Sequence, residues 1–364
     1  MEKALKKHPD YLLSLIVFAL VAFGLIAIYS VSKYYSWEVT NEVTDKLFLR
    51  KQLVWSVLGL VAWAVFQSFD YRHWQKHSAS MFFITIGLIS LPIIFGGRHW
   101  VNIWGGQFQP SELGKLTFII YLAGWFASKK ENLKEVRKMF PAFLLVMAAL
   151  CFMMIWQGDL GTLTIYVAIA TAIFVAAGSS LSHLFLAGSF SMLMVYLAVK
   201  LEPYRLERIT TFLNPDQNLL GSGYHIRNAL IAVGSGGLWG LGFGQSRQKF
   251  LYLPEAHTDS IFAIVAEELG FVRTALILIA FAFIAIRGFK IAANAPDTFS
   301  RLLATGITVW ITFQAIINVG AMLSMMPLTG VPLPFVSYGG SSMIFLLAAV
   351  GILINISKHC KVGR

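Results

Sequence analysis

Residues 11–32 read YLLSLIVFALVAFGLIAIYSVS, an unbroken run without a charged side chain. The hydrocarbon core of a bilayer asks for about 20 mainly apolar residues in one helix, and this run supplies them. It is too long for the apolar core of a secretory leader, and no small-residue cleavage pattern follows it. It therefore reads as a first transmembrane span that stays in the protein. Further runs of the same kind lie near residues 49–69, 79–96, 111–128, 140–156, 159–177, 182–200, 260–286, 302–325 and 336–357. Only Gly178, Ser179, Ser180 and a few neighbours part the sixth from the seventh. Strands of a membrane barrel would show weak alternation over about ten residues; these runs are long and continuous. Composition agrees. Apolar residues make up 57% of the 364 and charged residues 13%, with mean hydropathy +0.68, against about 45–50% and 25% in a soluble domain. The expected fold class is an all-α integral membrane protein of about ten transmembrane helices, a single polytopic domain over residues 1–364.

Ten spans return both termini to one side, and charge says which. Basic residues collect in short cytoplasmic loops. Lys3, Lys6, Lys7, Arg72, Lys76, Lys129, Lys130, Lys134, Arg137, Lys138, Arg287, Lys290, Arg301, Lys358, Lys361 and Arg364 fall on the side of the termini. The short opposite loops hold only Lys33, Lys46, Arg50, Lys51 and Arg98. Segment 1–10 and tail 358–364 are therefore expected in the cytoplasm, and the long loop 201–258, between the seventh and eighth spans, outside. The net charge of +11 is accounted for in this way without nucleic acid as a partner. A loop of that length calls for internal structure. Tyr224–Val233 has helical composition, and Gly234, Gly236, Gly237, Gly240, Gly242 and Gly244 punctuate an apolar stretch. The loop reads as re-entrant or interfacial helices and turns packed on the bundle, because irregular backbone at membrane depth needs protein or a wet cavity around it. Cys151 and Cys360 show neither metal-ligand spacing nor a disulfide framework.

Ionisable groups in or beside spans are costly and mark function by default. Glu112 and Lys115, three apart at the start of the fourth span, share a helix face. Two roles are open to them: an ion pair that makes the helix tolerable in lipid, or a polar cavity wall in which Lys115 meets an anion. Asp159, in Gln157-Gly158-Asp159, opens the sixth span and is placed to cap that helix, to line a cavity, or both. The richest stretch is Pro254-Glu255-Ala256-His257-Thr258-Asp259-Ser260, which runs into the eighth span. Helical spacing would put Asp259, Phe262, Ala263, Ala266 and Glu267 on one stripe, with Glu267 about 12 Å deeper than Asp259. Asp259 is a candidate either for helix N-terminal stabilisation or for a general base; His257 is open to an interface role; Glu267 and Glu268 suit a supporting polar network. Near the C-terminus, Pro327-Leu328-Thr329-Gly330-Val331-Pro332-Leu333-Pro334-Phe335 and Ser337-Tyr338-Gly339-Gly340-Ser341-Ser342 predict a rigid corner leading into a closely packed helix.

Seven stretches recur together in one family: Gly97-Arg98-His99-Trp100, Gln109-Pro110-Ser111-Glu112-Leu113-Gly114-Lys115-Leu116, Gln157-Gly158-Asp159-Leu160-Gly161-Thr162, Gly221-Ser222-Gly223-Tyr224, Ala232-Val233-Gly234-Ser235-Gly236-Gly237-Leu238, Leu253-Pro254-Glu255-Ala256-His257-Thr258-Asp259 and Pro332-Leu333-Pro334-Phe335-Val336-Ser337-Tyr338-Gly339-Gly340-Ser341-Ser342. In this order, over about residues 12–357, the chain resembles the bacterial cell-wall glycosyltransferases of the shape, elongation, division and sporulation family. Gly244-Gln245-Ser246-Arg247-Gln248-Lys249 and the stretch Tyr252–Asp259 resemble its division branch (FtsW-like) more than its elongation branch (RodA-like). Two departures stand out: Ser260 where the family usually has phenylalanine, and Gly158 where it usually has proline.

The resemblance implies an activity: polymerisation of lipid II, the undecaprenyl-pyrophosphate-linked disaccharide pentapeptide, into glycan strands outside the cytoplasmic membrane, here for septal synthesis. It implies Asp259 as the catalytic carboxylate. A hydroxyl acceptor needs a base, and a leaving diphosphate needs fixed cations. Arg50, Arg98 and Lys115 are the candidates for the cations, with Trp100, Glu112, Asp159, His257, Thr258 and Ser337 completing the expected substrate site. No resident metal site is expected; a divalent cation, magnesium or manganese, is able to arrive with the diphosphate. The implied partners are a class B penicillin-binding transpeptidase and other division proteins. Two other classes compete. A lipid II flippase would need polar groups through the membrane depth, whereas here they crowd toward the outer face. A non-catalytic scaffold makes no demand on Asp259.

Overall fold

A computed structural model of the chain describes residues 9–95, 99–103, 106–128, 139–179, 203–214 and 221–360, with eight single positions between 183 and 200. Its helices are α1 (Tyr11–Val39), α2 (Leu47–Ser68), α3 (Arg72–Lys76), α4 (Ser78–Ile94), α5 (Pro110–Ala127), α6 (Phe140–Gln157), α7 (Leu160–Ala176), α8 (Pro203–Leu213), α9 (Ser222–Ser235), α10 (Ile261–Ala293), α11 (Thr298–Met322) and α12 (Gly340–Ser357). A short antiparallel hairpin, β1 (Val101–Ile103) with β2 (Gly106–Phe108), links α4 to α5 and pairs Val101 with Phe108. Among the described residues, α1, α2, α6, α10, α11 and α12 are long and apolar enough to cross a membrane, and α4 and α7 are shorter apolar helices. Nine of the expected runs fall on helices; most of the run at 182–200 lies outside the described residues, as does Arg98.

The bundle is layered by burial. α5, α11 and α12 are buried along most of their length, whereas Leu53, Val54, Val57, Leu58, Val61 and Val65 of α2 are exposed. Apolar side chains turned outward on a helix of this length suit lipid. Small residues set the closest approaches: Gly351 of α12 leaves no room for a side chain against the Trp63 carbonyl of α2, and Gly24 of α1 none against the backbone of Phe335 and Val336.

At one end of the bundle several helix termini are tied together. The Asp10 side chain caps α1 by accepting from Leu13 N and pairs with Arg287 at 2.7 Å. Asp10 N donates to Ser357 Oγ (3.0 Å), Tyr71 N to Asn355 Oδ1 (3.0 Å) and Lys358 Nζ to the Gln67 carbonyl (2.9 Å). Residue 10 and residue 358 therefore lie on the same face of the bundle, as an even number of spans requires.

The eighth expected span departs from a simple helix. α10 is broken at Gly270 (φ 75°, ψ 176°), a conformation open to glycine. The chain at 237–242 closes the gap: Leu241 N donates to Glu267 O (3.0 Å), Gly242 N to Glu268 O (3.0 Å), Phe271 N to Gly237 O (2.9 Å) and Val272 N to Leu238 O (3.2 Å). Irregular backbone is thereby satisfied by protein. The expected stripe running down from Asp259 is also corrected. α10 begins at Ile261 with Ser260 as its N-cap residue, so Asp259 lies in the preceding turn, outside the helical register.

Candidate active site

The turn 253–260 carries the polar cluster. Thr258 N and Ser260 N both donate to the Glu255 carbonyl (3.2 and 3.1 Å), with Glu255 itself at φ 50°. Thr258 Oγ1 lies 2.8 Å from Glu255 Oε2 and 3.0 Å from Asp259 Oδ1. One hydroxyl proton cannot serve two carboxylates at once, so a proton held on one carboxyl relieves the other. Burial, and then the Glu255 charge, push the Asp259 carboxyl up to about 6. Asp259 does not cap α10; the helix has no side-chain cap. The helix-stabilising alternative therefore has no capping bond here, while a carboxylate poised near neutrality suits a general base.

The corner 327–339 faces this turn. A Cβ placed on Gly330 would lie 3.6 Å from Asp259 Oδ2, in ordinary contact. Tyr338 N donates to the His257 carbonyl at 2.9 Å. Three amides inside spans fix the corner, and one of them, Asn318, also ties it to the turn. Asn318 Nδ2 donates to the carbonyls of Asp259 (2.6 Å) and Val331 (2.8 Å). Gln314 Nε2 donates to Pro332 O (2.9 Å), and Gln52 receives Gly339 N at Oε1 (3.1 Å). Ser337, expected at the substrate, is buried, and its Oγ accepts from Leu333 N at 2.8 Å; it shapes the corner. Arg208 of α8 donates to Leu328 O (3.0 Å), and its charge is felt at Asp259.

The other expected residues separate into groups. His257 is packed between aromatic rings, with centroids 4.5 Å from Phe48, 5.1 Å from Tyr35 and 5.6 Å from Tyr338; burial lowers its pKa, so the imidazole is a neutral wall. Arg50 is exposed and lines a cleft of about 750 Å³ with Lys33, Lys46, Lys249, Glu42 and Asp45; Asp259 is not among its lining residues. Lys115 is buried with its ammonium 2.8 Å from Glu112, 3.1 Å from Gln314 Oε1 and 5.0 Å from the Trp310 ring. This is the ion-pair arrangement, and the ammonium faces protein. Asp159 caps α7 through Thr162 N (2.9 Å) and receives Gln109 Nε2 at 3.4 Å, joining two of the quoted stretches. Trp100, just before β1, remains part exposed beside His99. Glu267 and Glu268 form the supporting network: Glu268 pairs with Lys249 (2.9 Å) and accepts from Ser30, while Glu267 accepts from Ser246 Oγ and Arg247 N. Among the described residues no three His, Cys, Asp or Glu side chains converge as a metal cage.

The family of cell cycle proteins formed by FtsW, RodA and SpoVE matches residues 10–362. The chain belongs to this family. It is 39% identical to stage V sporulation protein E of Bacillus subtilis, over 98% of this chain and 99% of that protein. It is 36% identical to the "Probable peptidoglycan glycosyltransferase FtsW" of Trichlorobacter lovleyi, over 97% and 94%. Among solved structures, a chain described under "Structural coordination of polymerization and crosslinking by a peptidoglycan synthase complex" superposes with TM-score 0.76 at 26% identity, covering 96% of this chain and 97% of that one. A variant of the rod shape determining protein RodA of Thermus thermophilus does so with TM-score 0.71 at 25% identity, covering 96% and 97%.

For this FtsW/RodA/SpoVE member, the residues that sequence reading passed over are Gln52, Arg208, His225, Gln314 and Asn318. Gln52, Gln314 and Asn318 carry a legible signal, since any polar group inside a span needs a partner. Attention to ionisable groups alone hides them. Arg208 and His225 belong to the long loop, where polar residues are ordinary and only tertiary packing brings them to the site.

Proposed function

We propose that this protein is a peptidoglycan glycosyltransferase that polymerises lipid II at the outer face of the bacterial cytoplasmic membrane, in septal wall synthesis, with Asp259 as general base. The observation that carries the reading is the Asp259 carboxyl: half-buried, raised to about 6 by burial and Glu255, and free of any helix-capping duty. In the reaction, the 4-hydroxyl of an incoming lipid II attacks the anomeric carbon of the growing strand. Its proton passes to Asp259. The bond from that carbon to the diphosphate oxygen breaks, and the undecaprenyl diphosphate leaves with the electron pair. Fixed cations lower the cost of that developing charge; Arg208, close enough to act on Asp259, joins Arg50 and Arg98 as the groups for this task. A magnesium or manganese ion carried in by the diphosphate fits the same role. The expected partner is a class B penicillin-binding transpeptidase, with both termini cytoplasmic.

Asp259→Asn tests the base. Asparagine keeps the size and much of the hydrogen bonding but takes no proton. The purified variant is expected to bind lipid II and to polymerise it about 10²- to 10⁴-fold more slowly. Near-wild-type polymerisation would remove Asp259 from catalysis and favour a flippase or scaffold.

A further inference from the structure

Ser260 directly follows Asp259 and is fully buried. Serine at a helix N-cap ordinarily turns its oxygen onto an amide of the first turn. Here it does not, and α10 has no side-chain cap. The Ser260 hydroxyl instead lies 2.9 Å from the Pro254 carbonyl and 2.6 Å from Nε2 of His225 on α9. A hydroxyl has one proton, and a carbonyl only accepts. The proton therefore goes to Pro254 O, and His225 must be the donor through Nε2–H. Burial, and then Arg208, lower the His225 pKa to about 4, so this donor is a neutral imidazole with a defined tautomer. The chain of bonds from His225 through Ser260 to Pro254 closes the turn 254–260 like a clasp, alongside the backbone bond from Ser260 N to Glu255 O. Asp259 sits inside that clasp. On its other side Asn318 holds the Asp259 carbonyl.

We infer that His225 is a positioning residue for polymerisation: through the Ser260 hydroxyl it fixes the turn that presents Asp259 to the acceptor hydroxyl. The inference rests on the reading of Asp259 as general base. It also gives α9 a task in the reaction, since this bond alone, among the hydrogen bonds described, joins α9 to the turn that carries Asp259.

The test uses the full-length purified protein with labelled lipid II, comparing His225→Leu, His225→Gln, Ser260→Ala and the Leu/Ala double variant. Misplacing a catalytic group by about 1 Å is enough to cost a large factor in rate, so His225→Leu and Ser260→Ala are each expected to lower kcat about tenfold or more with KM for lipid II within about twofold. The double variant should be no slower than the slower single, because both break one device. Glutamine places an N–H donor at a similar reach and should restore most of kcat. A packing role predicts another pattern: losses that follow thermal stability, are alike for Leu and Gln, and add in the double variant. That pattern, or wild-type kcat in either single variant, overturns the inference. If His225→Leu does not fold, Ser260→Ala and His225→Gln decide it alone: Ser260→Ala at full kcat overturns it, and a slow Ser260→Ala with an active His225→Gln supports it. Asp259→Asn assayed in parallel separates the two claims. An inactive Asn variant beside fully active His225→Leu and Ser260→Ala sinks only the positioning role; an active Asn variant sinks the base itself.

Discussion

Asp259 holds its proton more tightly than an ordinary carboxylic acid, because ionising it means charging a half-buried site next to Glu255. Two consequences follow at the residue scale. A base works only when ionised, so kcat/KM should fall about tenfold per pH unit below its pKa near 6 and level off above it. Glu255→Gln removes the neighbouring charge, and the acid limb should then move to lower pH; a pH–rate profile that stays in place would show that Asp259 does not set it. The linkage to stability has the opposite sense from that of a salt-bridged aspartate. The folded pKa, about 6, exceeds the ordinary 3.8, so over that window the folded state binds the proton more than the unfolded chain does. Stability from this group falls as pH rises through the window, and Asp259→Asn should unfold no lower than wild type at neutral pH. Lys115 shows the reverse case of a residue whose type was legible and whose direction was not: its place at the start of a span and its pairing with Glu112 are plain in sequence, but its engagement by Gln314 and Trp310 comes from α11, far along the chain.

At the scale of elements, the break in α10 is what the glycine-rich segment packs against. A Cβ at Gly270 would collide with the backbone of Trp239 and Gly240, and φ there is 75°. Gly270→Ala combines steric overlap with a strained backbone, each of which is costly. It should therefore destabilise the protein by about 3 kcal/mol or more and loosen the contacts that Glu267 and Glu268 make with Ser246, Arg247 and Lys249. Gly87, on α4, has nothing within 4 Å of an added Cβ, and Gly87→Ala is the matched control expected to show no loss. Thermal unfolding of both variants in detergent decides the point: equal midpoints would mean that the break is not required. The left-handed residue Gly158 (φ 80°) ends α6 and leads straight into Asp159 and α7, so the departure from proline at that position is compatible with a turn that proline's fixed φ could not make.

At the scale of the whole molecule, orientation follows from charge. Gln75 lies just after α2, on the expected cytoplasmic side, and Gln245 in the glycine-rich loop, expected outside; both are exposed. With Cys151 and Cys360 replaced, an impermeant thiol reagent on intact cells should label Gln245→Cys and spare Gln75→Cys. The reverse pattern would invert the topology. The bundle supplies the geometric half of this expectation, since Asp10, Arg287, Ser357 and Lys358 meet at one end while His257, Phe48 and Tyr338 meet elsewhere, between loops that the charge rule assigns to the other side.

The sequence by itself determined the solvent, and with it the class of fold. Runs of about 20 apolar residues have one stable outcome in lipid, and neither packing nor partners alter it. It determined which short stretches matter as well, because polar residues within such runs are too costly to be incidental. What it left open is everything set by contact across the chain. The register of the eighth span changed because Asp259 belongs to a turn closed by Glu255, while the helix proper starts at Ile261. Arg50 lines a cleft whose walls do not include Asp259. His225, Asn318 and Gln52 became neighbours of the site only through bonds spanning 35, 59 and 287 positions. Periodicity and hydropathy report on a residue's surroundings along its own helix; which groups face Asp259 depends on how helices far apart in sequence pack, and only the tertiary structure decides that.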